Sequence, residues 1–237
     1  MWIVLILASF LAALISGAAG FGGALLLLPV ITYYIGAEAA VPVITLAQLI
    51  GNLSRMASGF KQIKWSAVGW FCLTALPLSA LGAFGFSVLP KDIVTRCIGG
   101  VLVLLVVFQM VKLFELKANN KTLLIGGAVT GGLSGLTGSG GPIGAAVFLS
   151  LGLSPVAYIA SEAATATAMH ILKTIIYSRL SFLTMETLLL GLSMGAAMVA
   201  GTFAANRFIQ RMDKGRFQKF VAVLLGIVGL YMLIFGS

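Results

Sequence analysis

The chain has 237 residues, of which 60% are hydrophobic and only 9% are charged. A soluble domain carries about 25% charged residues, so this chain lacks the polar surface that would coat a water-soluble globule. The net charge of +9 does not indicate nucleic-acid binding, because the 15 basic residues are scattered between apolar runs. The composition therefore predicts an all-α integral membrane protein.

The apolar runs are taken at about 20 residues per crossing of the bilayer. Before a short polar connector, the predicted helical segments are 2–19, 20–35, 39–59, 66–88 and 92–114. After it they are 122–136, 140–152, 155–177, 183–206 and 217–235. The first two segments of each series are short and meet at glycines, so each pair is interpreted as one broken unit. The total is then about eight segments.

The second series repeats the first. Ser16-Gly17 with Gly20, Gly22 and Gly23 recurs 118 residues later, as Ser134-Gly135 with Gly138, Gly140 and Gly141. Each copy precedes a half-length apolar helix, a short turn and a longer helix with polar residues in its middle. We predict a single transmembrane domain over residues 1–237, with repeat one at 1–116 and repeat two at 117–237.

The distribution of basic residues predicts how the two repeats are oriented. Cytoplasmic ends of membrane helices carry an excess of Lys and Arg. If each glycine-rich unit is re-entrant and the halves are inverted, 11 basic residues fall on one side and 4 on the other. Parallel halves would divide them 8 against 7. We therefore predict two inverted four-segment repeats, each with a broken re-entrant unit and three spans.

The paired glycine-rich breaks are the predicted binding site. Irregular backbone is tolerated at membrane depth only where protein or a water-filled cavity covers it. The helix that starts after a break holds free N–H groups and a partial positive charge, which suit an anion. Matching breaks in two halves indicate a transporter site. Close packing is the alternative reading, and we favour it for Gly126, Gly131 and Gly132.

Polar residues on the two longer helices complete the candidate site. Gln48 and Asn52 are four residues apart and share a helical face. Glu162 lies about 10 Å into its helix, where a carboxyl group must pair, face a cavity or hold a proton. We assign it to proton coupling, with a structural hydrogen bond as the alternative. His170 and Lys173 follow on the same helix.

The roles of two basic residues stay open at this point. Arg55 is interpreted as a topology charge near the cytoplasmic side, with anion binding as the alternative. Lys173 either contacts the anion or snorkels to the membrane interface. The predicted substrate-binding residues are Gly20, Gly22, Gly23, Gln48, Asn52, Thr137, Gly138, Ser139, Gly140, Gly141 and His170.

No motif indicates catalysis, a cofactor or a metal site. The chain has one histidine and two cysteines without zinc-ligand spacing, and no phosphate-binding GxxxxGK[ST] loop. We expect a protein that is not an enzyme and binds a small anionic solute and the lipid bilayer, but no nucleic acid. A homodimer remains open.

The two glycine motifs resemble the TauE/SafE-type permeases, the sulfite and organosulfur exporter group. The resemblance rests on Ser16-Gly17-x-x-Gly20-x-Gly22-Gly23 and on Ser134-Gly135-x-x-Gly138-x-Gly140-Gly141-Pro142, and it extends over essentially the full chain. It implies transport of sulfite, sulfonates or related carboxylic anions across the bacterial inner membrane, coupled to protons or to the membrane potential. A secondary carrier that works by alternating access is the leading reading. A passive anion channel and a membrane enzyme or assembly factor are the alternatives.

Overall fold

The computed structural model of the protein describes residues 1–17, 23–90 and 119–208, with isolated positions between 92 and 107 and at 230 and 234. The three continuous ranges form seven α-helices and one 3-10 helix, and they contain no strand. In chain order these are α1 (Trp2–Gly17), α2 (Ala24–Ser58), the 3-10 helix Phe60–Gln62, α3 (Trp65–Val88), α4 (Asn120–Thr137), α5 (Gly141–Leu149), α6 (Pro155–Arg179) and α7 (Met185–Phe208).

The helix boundaries follow local sequence signals. Gly36 adopts φ 73° and ψ 160° inside α2 and divides it into a short and a long part, so the predicted turn at 36–38 is confirmed. Asn119 caps α4 by accepting a hydrogen bond from the Thr122 N–H at 2.8 Å. Pro155 occupies the first position of α6, where its missing N–H costs no hydrogen bond. The predicted segments 92–114 and 217–235 lie largely outside the described residues.

The outer surface of the helices is apolar, as a lipid solvent requires. Leu73, Leu81, Ile125 and Phe203 are each more than half exposed. Among the described residues, three helical stretches are long and apolar enough to cross a bilayer, namely Leu26–Ser58, Trp65–Val88 and Met185–Ala205. Helix α6 has 25 residues but interleaves polar side chains, most of which are buried inside the protein. The protein is therefore an all-helical, multi-pass membrane protein in the part that the structure describes.

Helices α3 and α4 pack at backbone distance through glycines of α4. A Cβ added to Gly127, Gly131 or Gly135 would lie 2.2–2.3 Å from a carbonyl oxygen of α3. These glycines are four residues apart and share one face, the spacing that lets membrane helices touch. Gly126 packs on the side chain of Val147 on α5, where a Cβ would lie 2.4 Å from Cγ2, so the packing interpretation is confirmed for Gly126 and Gly131. Gly132 differs, because a Cβ there would meet nothing within 4 Å.

The interior is organised around the long helices α2 and α6. These two helices contact each other, and α2 also packs on α7 while α6 packs on α3. At the two sides, α1 packs on α7 and α3 packs on α4. The short helix α5 lies against α4 and α6. The α2–α6 contact is therefore the centre of the described part, and the glycine-rich break between α4 and α5 lies beside it.

Candidate functional site

The break between α4 and α5 is held inside the protein. Helix α4 ends at Thr137, and Gly138 then adopts a left-handed conformation with φ 79°. A Cβ on Gly138 would lie 3.1 Å from Cγ2 of Ile44 on α2, and one on Gly140 would lie 2.5 Å from the Thr130 carbonyl oxygen of α4. Gly138 therefore meets two requirements that favour glycine, a positive φ and a close approach. Because Gly138, Ser139 and Gly140 are all buried, the break is covered by protein as its irregular backbone requires.

A row of hydrogen-bond donors lies at this break without acceptors. The backbone N–H groups of Ser139, Gly140 and Gly141 have no acceptor among the described residues. The Ser139 hydroxyl group is 2% exposed and also lacks a partner there. By contrast, the Thr137 hydroxyl lies 2.9 Å from the Leu133 carbonyl oxygen, so its hydrogen has a backbone acceptor. Successive free N–H groups at a helix N-terminus form a typical anion-binding arrangement.

Lys173 of α6 neutralises the negative end of the helix dipole of α4, which lies on the other side of the break. Its side chain is fully buried, and its ammonium group donates to the carbonyl oxygen of Ser134 at 3.0 Å and to the Ser134 hydroxyl oxygen at 2.8 Å. The Tyr177 hydroxyl donates to the Gly135 carbonyl oxygen at 2.9 Å, one helical turn further along α6. These contacts lie at the C-terminal end of α4, where the helix dipole is negative and a cation is stabilising. The partial positive charge at the N-terminal end of α5 is therefore the main helix-dipole charge at the break. The burial of Lys173 also excludes the expected alternative of snorkelling to the interface.

On α2, the predicted residues Gln48 and Asn52 form a connected polar series that ends at Arg55. The Asn52 amide donates to the Gln48 carbonyl oxygen at 2.9 Å, and the Arg55 guanidinium donates to Oδ1 of Asn52. The Gln48 amide nitrogen lies 3.9 Å from the sulfur of Met198 on α7. All three polar side chains are no more than 5% exposed. Arg55, interpreted from the sequence as a topology charge near the cytoplasmic side, thus lies inside the protein rather than on its surface.

Glu162 faces this series from α6. Its Oε2 atom lies 4.0 Å from Nη1 of Arg55, and Glu162 is 3% exposed. That oxygen has no hydrogen-bond partner among the described residues. Tyr158, one turn earlier on α6, interacts electrostatically with both Glu162 and Arg55. The α2–α6 interface thus holds a buried acid and a buried base that are close but not hydrogen-bonded through this atom.

His170 lies on α6 between Glu162 and Lys173. It is 6% exposed, and its Nδ1 atom has no partner in the described part of the chain. The charges of Lys173 and Arg55 both act on it. A polar column therefore runs along the α2–α6 interface, and we define it as Gln48, Asn52, Arg55, Glu162, His170 and Lys173. All of its residues are no more than 6% exposed, so the column lies inside the protein.

The 118-residue offset between the two glycine motifs also relates residues of the polar column. It pairs Asn52 with His170, Arg55 with Lys173, and Ile44 with Glu162. The two buried cations thus occupy matching positions in the two halves of the sequence. Extending the offset beyond the glycines would have found this signal, whereas single-residue reasoning left both cations ambiguous. The contributions of Ser134 and Tyr177 were missed because they depend on which helix faces the break.

Not every predicted site residue can be placed. Gly23 precedes α2 with a left-handed φ of 66°, which matches a helix that starts after a break. Gly20 and Gly22 lie outside the described residues. Thr137, Gly138, Ser139, Gly140 and Gly141 are brought together at the second break, and Gln48, Asn52, Glu162 and His170 at the α2–α6 interface.

The chain was compared with protein-family models, curated proteins and solved structures. The sequence matches the family model described as Sulfite exporter TauE/SafE over residues 5–232. No curated protein and no solved structure gives a match. Since the matched range covers nearly all of the 237 residues, the chain belongs to the sulfite exporter TauE/SafE family.

Proposed function

We propose that this protein is a secondary transporter that carries small sulfur-containing or carboxylate anions across the inner membrane by alternating access. Family membership implies a transporter of sulfite or organosulfur anions. The observation that carries the proposal for this chain is the row of N–H groups at Ser139, Gly140 and Gly141 that lack an acceptor among the described residues, beside the buried ammonium of Lys173. The anion binds at this break, and the polar column extends its path along α2 and α6.

The chemistry of the break favours an anion over a cation or a neutral solute. The break presents three N–H groups and the hydroxyl group of Ser139, all of which can donate. A buried donor without an acceptor costs about 1–3 kcal/mol, and an anion with several oxygens removes that cost at several donors at once. Hydrogen bonds to a charged acceptor are about twice as strong as neutral ones. A sulfite or sulfonate group, which carries three oxygens, fits this set of donors.

The packing of the helices supports two structurally related halves. The offset of 118 residues relates α1 to α4, the long part of α2 to α6, and α3 to α7. Exchanging the halves converts the α1–α7 contact into the α4–α3 contact, and the α2–α7 contact into the α6–α3 contact. The α2–α6 contact is converted into itself, so a pseudo-two-fold axis would pass between these helices.

The charge distribution supports an inverted relation between the halves. Arg55 and Lys173 are buried and do not report topology, so one basic residue is removed from each side of the count. The distribution becomes ten against three, which is still asymmetric in the sense of the positive-inside rule. Two inverted halves can exchange conformations, and such an exchange opens a central site to alternate sides of the membrane.

The burial of the polar column favours a carrier over a channel. All its side chains are no more than 6% exposed, so an anion bound there must wait for a conformational change before release. The test is sulfite uptake into proteoliposomes with an imposed pH difference or membrane potential. Accumulation above the external concentration is expected for a carrier. Flux that only dissipates the sulfite gradient would instead identify a passive anion channel.

A pair of matched variants tests whether the break is the site. Lys173→Gln keeps a hydrogen-bond donor near Ser134 but removes the buried charge, and we expect at least a tenfold loss of sulfite uptake. Lys61→Gln is the control, because Lys61 is an exposed basic residue in the 3-10 helix that follows α2. We expect it to transport at the wild-type rate. Equal uptake by both variants would remove Lys173 from the anion site.

A further inference from the structure

We propose that Glu162 is a built-in competitor of the transported anion for Arg55, so that the anion binds at Arg55 when Glu162 takes up a proton. This inference rests on the proposed transport function and adds two statements to it. The first is that Arg55 binds the transported anion. The second is that proton binding and anion binding are coupled because Glu162 and the anion compete for the Arg55 guanidinium group. The proton and the anion then cross the membrane in the same direction.

The Arg55–Glu162 pair is buried but loose. The two groups are 5% and 3% exposed, so they interact with little screening by water. Their nearest nitrogen and oxygen atoms are 4.0 Å apart, which is beyond hydrogen-bond distance. A strong arginine–carboxylate pair would instead form two parallel hydrogen bonds at about 2.7–2.9 Å. The carboxylate therefore neutralises the guanidinium group across 4.0 Å without a hydrogen bond between these two atoms.

The Arg55 guanidinium group is oriented so that the transported anion can replace the Glu162 carboxylate. Its contact with Oδ1 of Asn52 orients it from the same helix, and Asn52 is in turn held by the Gln48 carbonyl oxygen. A guanidinium group carries five N–H donors in a planar fork that matches the oxygens of an oxyanion. A sulfite or sulfonate group can thus take the place of the Glu162 carboxylate at Arg55.

Glu162 is the group that can respond to protons at this position. Helix α2 presents Arg55 to it, and its own helix α6 carries three further titratable side chains nearby. The remaining basic and thiol groups on elements packed against α6 are exposed or half-buried. The three neighbours on α6 are Tyr158, His170 and Lys173. The groups on the elements packed against α6 are Cys72 on α3, Lys61 in the 3-10 helix, Lys64 in the loop after it, and Lys121 on α4. In the part of the chain that the structure describes, no other carboxylate lies within 4 Å of Arg55 or Lys173.

The two halves of the chain differ in whether a carboxylate faces the buried cation. Proton coupling is therefore specific to the Arg55 end of the polar column. Lys173 occupies the position that matches Arg55, but the position that matches Glu162 holds Ile44. Ile44 packs on Gly138 at the second break. The column therefore has an arginine, a lysine, a histidine and one carboxylic acid, and among the described residues only its Arg55 end has an internal competitor. Exchange of the carboxylate for an anion at Arg55 leaves one proton on Glu162 for each anion bound.

The experiment measures sulfite affinity for the wild-type protein and for Glu162→Gln in detergent, at a series of pH values from 5 to 9. Sulfite itself binds a proton in this range, but its ionisation is the same for both proteins, so the ratio of their dissociation constants isolates Glu162. We expect a ratio near one at low pH. Once Glu162 ionises, the wild type should weaken relative to Glu162→Gln by up to about tenfold per pH unit. Glu186→Gln, the same change at an exposed carboxylate, is expected to follow the wild type at every pH.

The binding experiment distinguishes failure of the competition mechanism from failure of the proposed transport function. A ratio that does not change with pH would overturn the competition mechanism while leaving the transport function intact. Absence of sulfite binding and transport in the wild type at every pH would instead contradict the proposed function itself.

The double variant Arg55→Gln with Glu162→Gln guards against loss of folding in the single variants. Removing one partner of a buried pair leaves an uncompensated charge, whereas removing both is often tolerated. We expect the double variant to fold and to bind sulfite at least tenfold more weakly than Glu162→Gln at pH 8. Binding by the double variant that equals that of Glu162→Gln would exclude Arg55 as an anion ligand.

Discussion

The unpartnered hydroxyl group of Ser139 allows a test in which stability and binding respond in different directions. In the anion-free protein this buried hydroxyl makes no hydrogen bond among the described residues. Ser139→Ala removes a polar group whose burial is uncompensated, so unfolding should cost the same free energy or up to about 1 kcal/mol more. For a chain of this size we expect a Tm that is unchanged or raised by up to about 3 °C. With anion bound, the same change removes a hydrogen bond to a charged group, which contributes about 1.5–3 kcal/mol. The dissociation constant for sulfite should therefore rise roughly 10- to 150-fold.

The neighbouring Ser134 supplies the matched control. Its hydroxyl oxygen accepts a hydrogen bond from the buried Lys173 ammonium group at 2.8 Å. Ser134→Ala leaves that ammonium with one acceptor fewer, and we expect a loss of about 1–3 kcal/mol in the anion-free protein. Thermal unfolding in detergent, with and without sulfite, together with titration calorimetry measures both effects. The reasoning is refuted if Ser139→Ala lowers Tm as Ser134→Ala does and leaves the sulfite affinity unchanged.

Two further substitutions test the packing around the break. Gly131→Ala places a Cβ 2.2 Å from the Ala75 carbonyl oxygen and should destabilise the protein by about 3 kcal/mol or more. Gly132→Ala meets open space and should stabilise the protein by up to about 1 kcal/mol through helix propensity. Similar Tm values for the two variants in detergent would contradict the close α3–α4 contact. Tyr177→Phe removes the buried donor to the Gly135 carbonyl oxygen and should cost about 1–2 kcal/mol without changing the pH dependence of sulfite binding. A shifted pH profile in that variant would mean that Tyr177 acts in coupling rather than in holding α4.

The helical segments could be predicted from the sequence because their signals are local. Apolar runs of about 20 residues, the prolines at first helical positions and the glycine breaks each depend on a few neighbouring residues. The boundaries of α3 and α6 accordingly agree with the predicted segments to within two residues. The turn at Gly36 was also predicted, since a short turn was expected between the half-length and the longer helix.

The roles of Arg55 and Lys173 could not be read in the same way. A basic residue near the end of an apolar run has the same sequence signature whether it lies at the headgroups or faces the protein interior. Burial depends on which face of the helix meets a neighbour, and this is a property of the α2–α6 and α4–α6 contacts. Lys173 lies inside because the C-terminal end of α4 offers it two oxygen acceptors.

The sequence by itself determined that lipid is the solvent, that two glycine-rich motifs repeat at a fixed offset, and that the chain resembles a family of anion exporters. These conclusions rest on composition and on residue spacing, which do not require knowledge of contacts. Only the tertiary structure decided that the second break is covered by protein, that Lys173 neutralises the end of α4, and that Glu162 lies beside Arg55. Those features join residues between 39 and 107 positions apart in the chain, and a hydrogen bond or ion pair over such a separation is set by helix packing alone.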